Sequence, residues 1–221
     1  MKTKIIKGLL WAYAAAAICT SQVAHAEKTE FEKLVEQRAL ERAAKQARVD
    51  NQPVLNQADV DRLLIAIPKI NNTVKQLDLP APNEEQIKQM NIAAAGGNPT
   101  ATMANILGGT SALSELDQES AEMGYQNYAH YAEHFDIAFA VLSAEGWVLM
   151  ARDMVRDGEE KPQPIDNLWS YILDESNPAS EREKLRTQLN EILPRSGAKP
   201  QNAEIIYRNY DALKPLVAPP Q

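Results

Sequence analysis

Two histidines four residues apart, His130 and His134, enclose a glutamate in the run His130-Tyr131-Ala132-Glu133-His134. On a helix, residues at that spacing project from one face about a turn apart, so both imidazoles can reach one metal ion. A glutamate beside them can take a proton from metal-bound water. In this reading His130 and His134 are metal ligands and Glu133 is the catalytic base. The competing reading is packing, because the pair continues a helical stripe through Ile137, Val141 and Val148. The neighbouring helical positions, Asn127, Ile137 and Ala138, supply no third ligand. Glu145 lies about 16 Å farther along the helix axis, too far to share an ion.

The run resembles H-x-x-E-H, the zinc motif of the inverzincin peptidases. The resemblance implies a zinc-dependent hydrolase, and it covers five residues. The family's greater length, its strands and its downstream glutamate ligand have no counterpart here. Packing is therefore the preferred reading, with zinc or copper binding at His130 and His134 as the alternative. Other residues offer weaker chemistry. Glu145, in an apolar helix, suits a raised pKa. Tyr125, Tyr128 and Tyr131 can line a pocket, although their spacing suits core packing equally well. Trp147, Met150 and Met154 suit a groove or a soft ion such as Cu(I), and methionines so spaced more often fill gaps. No serine, histidine and acid arrangement or paired-carboxylate motif stands out.

The N-terminus reads as a cleavable secretory signal over residues 1–26. Lys2, Lys4 and Lys7 precede an apolar run from Gly8 to Ile18, and Ala24-His25-Ala26 suits a signal peptidase. That run is short of the roughly 20 residues a membrane span needs. An uncleaved anchor and lipidation at Cys19 are the alternatives, and Ile18 is a poor neighbour for the second. Cleavage would remove Cys19, the one cysteine, leaving no disulfide, thiol nucleophile or cysteine metal site. It would also remove three of 23 basic residues and none of 30 acidic ones, leaving a formal charge of −10. An acidic chain without a basic stripe suits neither nucleic acid nor an anionic lipid surface.

The elements that must position these groups are all helices. Thr29-Glu30-Phe31-Glu32 is a capping-box pattern that opens a charged helical arm over residues 27–52, expected to dock through its first two turns. Asn56 to Asp59 caps a second helix, which Pro68 either kinks or ends. Residues 93–109 carry no charge and hold two Gly-Gly pairs. They are expected to form a mobile loop, or a poorly formed helix between glycine breaks. The segment from about 126 to 157 is the most structured. Tyr128, Tyr131, Phe135, Phe139, Leu142 and Leu149 form one helical stripe, and the histidine stripe lies beside it. A helix apolar on most sides belongs at the centre of its domain. Further helices follow Pro164, Asn177 and Asn202, and residues 215–221 read as a Pro-rich extended tail. No alternating runs bounded by hairpin turns suggest a sheet.

The sequence thus predicts an all-α irregular bundle over 53–214, packed around the 126–157 helix, in a periplasmic or secreted protein. The expected mature chain has no transmembrane segment. The preferred function is binding a protein partner, an envelope component or a small ligand, without catalysis and without a cofactor. The alternative is a metal-binding protein or metal-dependent hydrolase built on His130, Glu133 and His134.

Overall fold

A computed structural model describes residues 29–77, 79, 83–96, 98–154 and 164–217. The signal expected at 1–26 lies outside the described residues. The described chain is helical, with no strand: α1 (Glu30–Asn51), α2 (Gln57–Gln76), α3 (Glu84–Gly96), α4 (Pro99–Ile106), α5 (Ser111–Glu122), α6 (Tyr128–Asp153), α7 (Leu168–Leu173), α8 (Ala179–Ser196), α9 (Ala203–Arg208) and α10 (Tyr210–Val217). A short 3-10 turn, Pro200–Asn202, precedes α9. Contacts divide the chain into two compact units that meet between Ala44 and Lys45.

In the first unit, α1 starts where its sequence directs. The Thr29 hydroxyl accepts the Glu32 N–H at 3.2 Å, and the Glu32 carboxylate accepts the Thr29 N–H at 2.8 Å. Phe31, Leu34 and Val35, the apolar residues of these first turns, are all exposed. The buried apolar residue of α1 is Val49, in its last turn, which belongs to the second unit.

The second unit is built around α6, which touches α2, α4, α5, α8, α9 and α10. Ile137, Ala138, Ala140, Val141, Ala144 and Val148 of α6 are fully enclosed. Their partners include Leu63 and Ile67 of α2, Leu116 of α5, Leu185 and Leu189 of α8, and Leu213 of α10. By length and composition α6 is apolar enough to cross a membrane, and half of its most apolar window is packed inside the unit. Its observed limits are tighter than the expected 126–157. Asn127 caps the helix by accepting the His130 N–H at 2.9 Å, so Gln126 stays outside it. Helix α2 is likewise capped by Asn56 and Asp59, and it continues through Pro68.

Of residues 93–109, expected to form a mobile loop or a poorly formed helix between glycine breaks, 93–96 end α3 and 99–106 form the helix α4, whose cap lies on α6, as described below. One expectation is corrected. Residues 215–217, read as part of an extended tail, are the last turn of α10, with Pro215 inside the helix. Tyr210, Leu213 and Val217 share one buried face there, and their burial outweighs the hydrogen bond that Pro215 cannot donate.

Candidate functional site

Helices α2, α3, α4 and α6 enclose a cleft of about 340 Å³. Ile70 and Val74 come from α2, Met90 from α3, and Pro99 and Met103 from α4. The remaining wall is an aromatic row on α6. The Tyr128 and Tyr131 rings stack with centroids 5.7 Å apart, and Phe135 follows 6.0 Å from Tyr131. The row exists because positions three and four apart fall on one helical face. Polar atoms enter from Asn71, Asn91, Thr100 and the two tyrosines. Burial pushes both tyrosine hydroxyls well above their ordinary pKa, so they remain neutral. None of the described lining residues is ionised at neutral pH.

Behind this wall stands Asp136, a buried carboxylate of α6. Its Oδ1 accepts the Thr100 N–H and its Oδ2 accepts the Ala101 N–H, each at 3.0 Å. These are first-turn donors of α4 that have no partner within a helix. Asn98, at the usual capping position, makes no side-chain cap. The cap of α4 therefore comes from a residue some 35 positions later in the chain. Burial pushes the Asp136 pKa up to about 6, against the two N–H donors, the Thr100 side chain and the Arg48 guanidinium, which pull it down.

The histidine pair occupies another part of α6. His134 is buried, His130 is half-buried, and their ring centroids lie 4.8 Å apart in an edge-to-face arrangement. Tyr125 packs edge-on against both, at 5.6 and 5.5 Å, and the Arg62 guanidinium covers the Tyr125 ring at 5.3 Å. His130 Nδ1 accepts the Gln126 N–H at 3.3 Å, which puts the proton of the neutral ring on Nε2. A metal-binding histidine usually has the opposite arrangement, donating from the nitrogen that does not bind the metal. His134 Nδ1 is buried without a hydrogen-bond partner, and burial, reinforced by His130, pushes its pKa down to about 4. Glu133 is exposed. Among the described residues, no group of three or more histidine, cysteine, aspartate or glutamate side chains is placed to hold a metal. A metal site here would therefore rest on two imidazoles.

The remaining candidates separate. Glu145 is buried, and its Oε1 accepts the Leu168 N–H at 2.7 Å at the start of α7. Burial raises its pKa. Trp147 and Met150 are exposed on the last turns of α6, and Met154 is exposed just past its end. Asp136 and the α2, α3 and α4 walls of the cleft were not singled out by sequence. The one available signal was a lone aspartate beside the long apolar stretch of α6. Comparison with known proteins returns no matching family, no matching curated protein and no matching solved structure.

Proposed function

We propose that the protein is an exported, non-catalytic binding protein that holds a small, uncharged, largely apolar ligand in the cleft between α2, α3, α4 and α6. The observation that carries this reading is the cleft itself, whose volume of about 340 Å³ falls at the lower end of the range of small-molecule sites. A charged ligand would find no counter-ion on the described walls, and burying an unpaired charge is costly. Methionine and aromatic side chains adapt to apolar shapes, while the tyrosine hydroxyls and Asn71 can each meet one polar group. The leader of Lys2, Lys4 and Lys7, followed by an apolar run and Ala24-His25-Ala26, supports export.

The test is titration of the mature protein with N-phenyl-1-naphthylamine, a neutral apolar fluorophore, beside the variant Met103→Trp. The expected result is saturable binding to the wild type and at least about tenfold weaker binding to the variant, roughly 1.4 kcal/mol. Circular dichroism and melting must show the variant folded. Absence of saturable binding, or equal affinity in the folded variant, would overturn the cleft as the binding site.

A further inference from the structure

Two walls of the cleft are anchored differently from α4. Helices α2 and α6 run 20 and 26 residues and place several side chains in the central core. Helix α4 runs eight residues and buries one of its own, Ala104. It carries no ionisable side chain and makes no local side-chain cap at Asn98. Its N-terminal turn is held by the carboxylate of Asp136, through the N–H groups of Thr100 and Ala101. The next donor, Thr102 N–H, reaches back to Asn98 O at 3.3 Å. At the other end the chain turns through Gly108 and Gly109. Gly109 has φ +78°, and a Cβ built there would meet nothing within 4 Å. A left-handed glycine in open space is where a backbone can change direction at low cost. Pro99, Thr100 and Met103 of this short helix face the cleft.

We infer that α4 is a hinged wall, latched to the central helix by Asp136 and pivoting at Gly108-Gly109, and that ligand enters and leaves when this latch releases. The inference rests on the cleft being the ligand site. Lifting α4 removes Pro99, Thr100 and Met103 from the cleft together, while the aromatic row on α6 stays fixed by its own packing. Ala104 and Leu107 seat its C-terminal half in the core with Met103 packed beside them, and the two bonds to Asp136 fix its first turn. Segments with few buried apolar contacts are where local opening is expected to precede global unfolding.

Two measurements test the latch. The first is native-state hydrogen exchange of the wild type, with and without N-phenyl-1-naphthylamine. Amides of 100–106 should exchange well ahead of those of α6 and slow when the fluorophore is bound. The second is stopped-flow release of the fluorophore from wild type and Asp136→Asn, which leaves one acceptor where two stood. Release should be at least about tenfold faster in the variant, with α6 amide protection unchanged. Exchange of α4 only in step with α6, or unchanged release from a folded variant, would overturn the latch. If the fluorophore does not bind the wild type at all, the ligand reading fails. The exchange of α4 relative to α6, and its acceleration in Asp136→Asn, still decides whether the latch exists.

Discussion

His134 and Asp136 sit two residues apart on α6 and should give opposite pH dependences to the stability of one domain. His134 is held neutral, its pKa lowered from 6.5 to about 4. As pH falls through that window the unfolded chain takes up the proton first, so stability is lost. Asp136 is displaced the other way, from 3.8 to about 6. Here the folded state takes up the proton first, so stability is gained as pH falls from about 6 towards 4. Each displacement is worth on the order of 3 kcal/mol across its full window. In the wild type the two contributions nearly cancel between pH 6 and 4.5. Burial also raises the pKa of Glu145, and hydrogen bonds lower those of Glu181 and Asp174, so the informative quantity is the difference between wild type and each single variant. Urea unfolding of wild type, His134→Gln and Asp136→Asn at pH 7, 6, 5 and 4.5 supplies it. Relative to wild type, His134→Gln should gain about 1.5 kcal/mol between pH 6 and 4.5, and Asp136→Asn should lose about the same. Two profiles parallel to the wild type, or displaced in the same direction, would refute the burial argument for both residues.

Two other outcomes follow from the same helix. With Zn(II), Cu(II) or Ni(II) added after EDTA treatment, the melting temperature should stay within about a degree, because two imidazoles with one nitrogen already engaged make a weak site. A ligand of the folded state at a hundred times its Kd adds about 2.7 kcal/mol, several degrees of Tm. A metal-specific rise of that size, lost in the double variant His130→Ala, His134→Ala, would instead establish the metal reading. Glu145→Ala should destabilise by about 1.5–3 kcal/mol in urea unfolding, because it removes the charged acceptor of the Leu168 N–H. Glu145→Gln, which keeps an acceptor oxygen, should cost less.

What could be read from the sequence was written in short-range patterns. The Thr29–Glu32 and Asn56–Asp59 capping boxes are four-residue signals, and both form. The stripes of α6 repeat at the helical period over many residues, so its central place was legible before any packing was known. The helix α4 was not legible, because its cap sits on Asp136 in another helix, and only the folded chain brings the two together. The last turn of α10 was obscured by Pro215, whose local preference is overridden by burial of Leu213 and Val217. The cleft was hidden for the same reason as the cap: its walls come from four helices, with Ile70 and Phe135 at its sequence extremes. Phe31, Leu34 and Val35 lie at helical spacing on α1 and are exposed. Helical spacing gives an apolar face, and spacing alone does not say whether that face has a partner.

Asp136 and Glu145 together explain why an apolar central helix keeps two buried acids. Among the described residues neither makes a close ion pair inside the core. Asp136 receives two N–H groups at the start of α4, and Glu145 receives one at the start of α7. Helices of eight and six residues are too short to be stable alone, and each begins with donors that need an acceptor. A carboxylate fixed on the long helix meets that need and sets where each short helix begins. Burying the charge costs stability, as the raised pKa of both groups shows. The protein accepts that cost at two points on one helix, and what it obtains differs between them. At Glu145 the Tyr210 hydroxyl also bonds the carboxylate, and Lys214 adds a favourable charge nearby, so that anchorage involves α10 as well. At Asp136 the partners are the two backbone donors and the Thr100 side chain, with Arg48 acting on the same carboxylate from the end of α1. Of the two short helices set in place this way, the one that begins at Asp136 is the one that walls the cleft.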